Sequence, residues 1–375
     1  MKSVDIVYFD AGSGHRSAAF ALKRVLSAAH PDWRIRSVNL LDILAFDQPF
    51  HRMVRVGINY FNWNLKHEYF FDLTGLVRLS LVIQDRVRQA QIERIAEFWR
   101  TAPPDTVVSV TPMYNPVLYR SAHLANPNVV CITIPVDFEE IRTRYWFTPK
   151  LPDQHYLIST DALDLQARQA GILESHRHRI GGMIIDPAFY TPPPANILDE
   201  IARLGLDPSL PTGLVSFGGQ GSVVVSRIAE RIHAACLPVN MIYLCGRNEA
   251  VYERVKASAS HFPKLVLQYS DAPPSYYHHL ADFLIGKPGS MTLTEALVTE
   301  TPFIFIKARA LAPVQRGNER WILDHETGVR ANRVRVLTPA VQQVLNDTQH
   351  YRRQAEQHYH RGVFDAAAVI AQLMA

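Results

Sequence analysis

Cysteine is scarce in this chain: Cys131, Cys236 and Cys245 are the three present, and they lie far apart in sequence. Neither a disulfide framework nor a C-x-x-C metal or redox motif can be built from them, so a reducing compartment is the expected setting. Charge of one sign is also lacking. Thirty-nine Lys and Arg face 35 Asp and Glu, a formal +4, too mild for an electrostatic nucleic-acid binder yet compatible with an anionic surface. No apolar run approaches the ~18 residues of a membrane-spanning helix. The N-terminus enters an apolar stretch from Val4 to Phe9 interrupted by Asp5, with Asp10 next, so a secretory signal is not expected. Any membrane contact is therefore expected to be peripheral, on the cytoplasmic inner face. No Asp-x-Asp triplet occurs, and His176, His178, His358 and His360 have no acidic or cysteine partners at ligand spacing. They read as solvated, and no metal is assigned.

What the chain does have is length for two domains, 375 residues of which 47% are hydrophobic, and a repeating order of apolar runs. A strand over Val4–Phe9, a loop from Asp10 to Gly14 and a helix over His15–Ala29 form one strand-loop-helix unit. Further strands are expected at 106–110, 129–134 and 156–159, with helices over 83–100, 116–125 and 161–170. Alternation of this kind predicts a parallel sheet covered on both faces. Gly181, Gly182 and then Pro187 and Pro192–Pro194 interrupt it, because proline fits neither sheet nor helix interior. The pattern then restarts, with strands at 213–217, 241–245, 265–268, 282–285 and 303–306 and a helix over 291–298. The expected division is 1–183, 184–350 and a helical tail, 351–375, packing back on the first domain.

Three glycine-rich loops each follow an expected strand and open an expected helix: Gly12, Ser13, Gly14; Gly218, Gly219, Gln220, Gly221, Ser222; and Gly286 to Thr292. Small residues there let a phosphate approach backbone N–H groups, where each anionic contact with the helix dipole contributes ~0.3 to 1 kcal/mol. Any one loop alone reads equally as a tight turn. The third runs into Glu295, about one helical turn on, where a carboxylate can accept both hydroxyls of a ribose. Alone, Glu295 reads as a solvated helix residue.

In order and spacing, AGSGHRSAA from Ala11, SVTPMYNPVLYR from Ser109, SFGGQGS from Ser216, CGRN from Cys245, GKPGSMTLTEAL from Gly286 and QRGN from Gln315 resemble the inverting glycosyltransferases of family 28. Within it the chain is similar to the monogalactosyldiacylglycerol synthases and other diacylglycerol glycosyltransferases, and more distantly to the peptidoglycan N-acetylglucosaminyltransferase. The resemblance implies an α/β GT-B architecture, two Rossmann-like domains facing a cleft, with the acceptor on the first and a UDP-sugar on the second. It implies that Gly218, Gly219 and Gln220 line the donor phosphates and sugar, that Tyr269 and Ser270 meet the uracil, and that Gly289, Ser290 and Met291 cap the diphosphate. Glu295 would hold the ribose, Gln315 and Asn318 would face the sugar hydroxyls, and Gly12, Ser13 and Gly14 would meet the acceptor. Two departures are present: Gln315 and Arg316 where relatives often carry Glu, and Gly182 to Asp186 without the interdomain Arg. Galactose, glucose and N-acetylglucosamine all stay open.

His15 is the candidate base, since a helix N-terminus disfavours its cation; the competing reading is a helix cap or an acceptor contact. Asp137 is the second candidate, as base or as the group that orients His15. Between Phe46 and Leu81, aromatic and basic residues alternate, and Arg52, Arg55, Phe61, Trp63 and Lys66 are expected at a membrane interface; the alternative is an ordinary helical excursion packed on the sheet. The expected function is metal-independent transfer of a hexose from a UDP-sugar, used as substrate with no cofactor, to diacylglycerol at an anionic membrane surface. A polyprenyl-linked or soluble acceptor, a non-enzymatic nucleotide-sugar-binding subunit and a UDP-sugar epimerase are the alternatives.

Overall fold

The computed structural model describes residues 1–10, 14–67, 75, 79, 82, 87–148, 151, 154–268, 272–306, 312–358 and 360–375. They form two compact units, one built on Met1–Leu65, Phe70–Asp186 and Arg361–Ala375, the other on Pro187–His360.

The first unit is a six-stranded parallel sheet of β1 (Ser3–Tyr8), β2 (Arg34–Asn39), β3 (Thr106–Ser109), β4 (Val130–Thr133), β5 (Gln154–Ile158) and β6 (Arg177–Arg179), in the order β2-β1-β3-β4-β5-β6. Its helices are α1 (Gly14–Ala29), α2 (Leu40–Leu44), α3 (Gln48–His67), α4 (Gln89–Arg100), α5 (Asn115–Ala125) and α6 (Asp161–Gln169). Along α1, Ala18, Leu22 and Leu26 are buried at a spacing of four, the stripe a helix needs to lie on a sheet. Asp47 caps α3 by accepting the Phe50 N–H at 3.1 Å, and its other oxygen takes Arg94 of α4 at 2.6 Å.

The second unit repeats the design with β7 (Thr212–Ser216), β8 (Asn240–Leu244), β9 (Lys264–Leu267), β10 (Phe283–Gly286), β11 (Phe303–Ile306) and β12 (Gly328–Ala331), all parallel, in the order β12-β11-β10-β7-β8-β9. Its helices are α7 (Ile197–Arg203), α8 (Val224–Ala234), α9 (Glu249–Ala257), α10 (Pro274–His279), α11 (Ser290–Val298), α12 (Ala312–Asp324), α13 (Leu337–Asn346) and α14 (Thr348–Glu356). The final helix, α15 (Gly362–Leu373), belongs to the first unit. There Arg361 N–H donates to the Gly181 carbonyl at 2.8 Å and the Asp365 carboxylate accepts the Gly181 N–H at 2.8 Å. The expected tail, 351–375, thus divides: α14 stays with the second unit, and α15 joins the first.

Three strands have no counterpart in the pattern reading, and all three are edge strands: β2, β6 and β12. An edge strand presents one side to water and needs no apolar run. Arg36 of β2 is an instance, pairing through Nε with Asp5 Oδ1 at 2.7 Å beside a carboxylate that is fully buried. The helix expected over 83–100 is described as α4 from Gln89; residues 83–86 lie outside the described residues.

In both sheets the chain reverses its direction of travel once, between β1 and β3 in the first and between β7 and β10 in the second. At such switch points the two following connections leave toward opposite faces, and the gap between them at the carboxyl ends of the strands is where open α/β sheets take ligands.

Candidate functional site

In the first unit the switch point is occupied by His15. It follows β1 at the start of α1, and its Nδ1 lies 2.7 Å from the carbonyl oxygen of Val110, at the end of β3. A carbonyl only accepts, so Nδ1 carries the proton and the neutral ring keeps its lone pair on Nε2. The ring is half-buried against Phe9, centroids 4.3 Å apart, with Trp146 at 6.2 Å. Burial among these rings lowers the pKa of His15 to about 4, partly opposed by the bond to Val110. Of the loop residues expected before it, Gly14 opens α1, whereas Gly12 and Ser13 lie outside the described residues.

Asp137 is buried nearby, its Oδ2 accepting the Trp146 indole N–H at 2.9 Å. Desolvation raises its pKa to about 6, and the indole bond pulls the other way. Trp146 therefore touches the surroundings of both acid–base candidates. It is held in turn by Glu140, whose Oε1 accepts the Trp146 and Phe147 N–H groups at 2.9 and 3.1 Å. The sequence gives no signal for Glu140 or Trp146. As to orientation, the atom that fixes the His15 ring is the Val110 oxygen.

In the second unit the switch point is flanked by two of the glycine loops. After β7, Gly218 and Gly221 adopt left-handed backbone, φ 84° and 70°, and the Gly221 N–H closes a turn on the Gly218 carbonyl at 3.0 Å. The CGRN segment after β8 buttresses this turn: the Arg247 N–H donates to the Gly219 carbonyl at 3.0 Å, and a Cβ on Gly221 would stand 2.2 Å from the Cys245 oxygen. Gly219 and Gln220 face outward, with nothing within 4 Å of a Cβ at 219. After β10, Gly289 caps α11, so the first N–H groups of Ser290 and Met291 lack intrahelical partners. Glu295 is half-buried on α11.

Helix α12 lies beside that loop. Asn318 donates through Nδ2 to the Pro288 carbonyl at 2.8 Å. Gln315 is buried, 3% exposed, and its Oε1 accepts no hydrogen bond from the described residues. Buried polar atoms are normally satisfied, which sets this oxygen apart from the other polar side-chain atoms of α12 described above. Gly218, Gly219, Gln220, Gly289, Ser290 and Met291 are thus gathered around one switch point, with Gln315 and Asn318 adjoining; Tyr269 and Ser270 lie outside the described residues.

The α3 segment is a packed helix with a second apolar face. Phe50, Val54 and Ile58 are buried, and Phe61 packs on the same cluster, each such side chain contributing ~1.5 to 3 kcal/mol on full burial. Phe61, expected at the membrane interface, is half-buried and packs on that cluster, continuing the inward stripe of 50, 54 and 58. The outward stripe is Met53, Val56 and Trp63, which are 37%, 67% and 47% exposed, with Arg52 and Arg55 exposed beside them. Met53 and Val56 carry no aromatic or basic signal in the sequence; their spacing of three along α3 is what places them on one face. The side chain of Lys66 lies outside the described residues. No helix among the described residues is long and apolar enough to cross a membrane.

The four histidines expected to be solvated are half-buried and sit in two clusters of rings. His178 Nε2 is 3.0 Å from His155 Nδ1, with His176 packed on His155 at 5.2 Å between centroids. His358 packs on Trp321 and His325, each at 4.8 Å, with His360 at 6.1 Å. No group of three or more His, Cys, Asp or Glu among the described residues is placed to hold a metal ion.

No family model matches the chain. It is 24% identical over 342 residues to monogalactosyldiacylglycerol synthase 1 of Arabidopsis thaliana, an alignment covering 87% of this chain and 62% of the relative. It is likewise 24% identical over 214 residues to the processive diacylglycerol beta-glucosyltransferase of Staphylococcus carnosus, covering 54% and 50%. Among solved structures, MurG of Acinetobacter baumannii superposes with a TM-score of 0.61 at 12% identity, covering 99% of this chain and all of that one. A UDP-GlcNAc 2-epimerase from Neisseria meningitidis superposes at 0.58 and 13% identity, covering 100% and 99%. The two-sheet α/β fold is of the GT-B type, and the resemblance read from the motifs is borne out. The chain spans about 62% of the length of the synthases it matches over most of its own length.

Proposed function

We propose that the chain is an inverting hexosyltransferase that moves a hexose from a UDP-sugar to a lipid alcohol, diacylglycerol first among acceptors, at an anionic membrane surface. The observation that carries this reading is the His15 ring at the first switch point, neutral and with its proton spent on Val110. Nε2 then takes the acceptor hydroxyl proton as that oxygen attacks the anomeric carbon opposite the nucleotide; the bond from carbon to diphosphate oxygen breaks and UDP leaves. Such base assistance contributes ~10² to 10⁴-fold. The donor is taken by the second unit, its diphosphate facing the open Gly219 turn and the first N–H groups of α11, which meet the leaving charge with fixed dipoles in place of a metal. Gln315 Oε1 receives a sugar hydroxyl, and Glu295 the ribose.

Support for a lipid acceptor comes from the outward Met53, Val56 and Trp63 stripe flanked by Arg52 and Arg55, the composition of a helix lying in a membrane interface, and from relatives named monogalactosyldiacylglycerol synthase and processive diacylglycerol beta-glucosyltransferase. Location on the cytoplasmic inner face is part of the same proposal. The test is a transfer assay with the purified chain, a panel of UDP-sugars and diacylglycerol in mixed anionic vesicles, with and without a metal chelator, read by chromatography and mass spectrometry. A new glycolipid in both conditions supports the reading in full. Hydrolysis of the UDP-sugar without glycolipid refutes the acceptor, and UDP binding with no turnover refutes the enzyme.

A further inference from the structure

We infer that Ser109 is a positioning residue for the transfer reaction, fixing the tautomer of His15 through a single peptide unit. The inference rests on the reading of His15 as the base. The peptide joining Val110 to Thr111 is held at both ends: its carbonyl accepts His15 Nδ1 at 2.7 Å, and its N–H donates to Ser109 Oγ at 3.2 Å. The neighbouring peptide is anchored in the sheet, since the Val110 N–H donates to Val7 at 3.0 Å and the Ser109 carbonyl accepts Ile134 N–H at 2.9 Å. The plane that faces the imidazole is thus the first one past the sheet, and Ser109 Oγ decides which way it turns.

That hydroxyl has no freedom of its own. It donates to Asn115 Oδ1 at 2.6 Å and lies 2.8 Å from Thr111 Oγ1. Asn115 Nδ2 donates to Thr133 Oγ1 at 3.1 Å, which also takes Gln154 Nε2 at 2.7 Å and lies 2.8 Å from the Tyr119 hydroxyl; the latter donates to the Ile132 carbonyl at 2.8 Å. Each donor is spoken for, so the Asn115 amide has one orientation and presents oxygen, not nitrogen, to Ser109. All six side chains are at most 2% exposed. Around Ser109 and Asn115 this network is hydrogen-bonded throughout, Gln154 Oε1 at its far end being the one atom without a partner among the described residues, and a polar network at such depth rigidifies what it touches, at a desolvation cost that apolar residues would not carry. It also accounts for the SVTPMYN segment, whose Ser109, Thr111 and Asn115 the binding reading leaves unused.

The experiment is ¹⁵N NMR of the His15 ring in the full chain, on wild type, Ser109→Ala and Thr111→Val, alongside kcat at saturating donor and the Kd for UDP. Thr111→Val removes an equally buried hydroxyl and keeps the peptide clamp. The expected result is a ring protonated on Nδ1 in wild type and in Thr111→Val. In Ser109→Ala a growing Nε2-protonated fraction is expected, with kcat down by about tenfold, the low end for losing an outer partner of a working imidazole, and UDP affinity within about twofold. Should Ser109→Ala not fold, Asn115→Ala, which leaves the Ser109 hydroxyl without its acceptor, is expected to shift the ring in the same direction. An unchanged tautomer in the folded variant overturns the positioning role, as does an equal shift in Thr111→Val. A shifted tautomer with unchanged kcat instead removes His15 from the chemistry, and His15→Ala measured in parallel separates that failure from the first.

Discussion

His15 Nδ1 and the Val110 carbonyl oxygen, 2.7 Å apart, join the start of α1, which follows β1, to the residue just past β3, at the point where the first sheet reverses its winding. The Val110 carbonyl is available because β3 ends at Ser109, leaving an acceptor unclaimed by a ladder at the carboxyl edge. The second sheet places the Gly218–Gly221 turn and the Gly289 cap of α11 at its own reversal. The same winding thus generates two comparable carboxyl edges, one carrying the neutral His15 ring and one presenting N–H donors.

Replacing His15 by Ala is expected to lower kcat by ~10² to 10⁴-fold while leaving the Kd for UDP unchanged, because His15 lies on the first unit and the nucleotide is assigned to the second. Turnover at saturating UDP-sugar together with calorimetric titration of UDP checks both halves. Activity within a few-fold of wild type would sink the assignment.

The pH dependence separates His15 from Asp137. A base works deprotonated, so the acid limb of kcat/KM reports its pKa in the free enzyme. With His15 lowered to about 4 and Asp137 raised to about 6, activity is expected to persist as pH falls through 6.5 and to decline only near 4. A limb near 6 would transfer the role to Asp137. The stability contributions have opposite signs. Below pH 6.5 the unfolded chain takes up the His15 proton before the folded one, so folding weakens down to about pH 4. The Asp137 carboxyl protonates first in the folded state, so its contribution rises as pH falls through 6.

Two glycines in one turn should behave differently. Gly221 has φ 70° and a Cβ there would meet the Cys245 oxygen at 2.2 Å, so Gly221→Ala is expected to cost about 1–3 kcal/mol and to lower Tm. Gly219 has open space around a Cβ. Gly219→Ala is expected to keep Tm while weakening UDP-sugar binding, as thermal melts with and without UDP would show; unaltered binding would move the phosphates away from this turn.

On α3, Val56→Glu and Trp63→Ala are expected to reduce sedimentation with anionic vesicles, and Val56→Glu to do so without changing Tm, because that side chain is 67% exposed. Arg52→Ala and Arg55→Ala should each weaken that binding by ~1 kcal/mol at low salt, an effect that fades as salt is raised. Phe61→Ala should do the reverse, lowering Tm through the core cluster it packs on. Vesicle binding that survives all four outward substitutions would remove α3 from the interface.

The sequence by itself determined the alternation of strands and helices, the restart after the 181–194 interruption and the three glycine-rich turns, because burial on both faces forces continuous apolar runs and tight turns force glycine. It did not reveal β2, β6 or β12, whose half-wet edges carry Arg34, Arg36, Arg177, Arg179 and Arg330 instead of an apolar run. It placed Phe61 at a surface because an aromatic beside Trp63 is apolar either way; which side faces the core follows from what α3 packs against. Only the tertiary structure brought His15 to Val110, set Trp146 between His15 and Asp137, and laid the CGRN backbone under the Gly219 turn. Those contacts join residues remote in the chain, and strand order, which no local pattern encodes, decides which loops become neighbours.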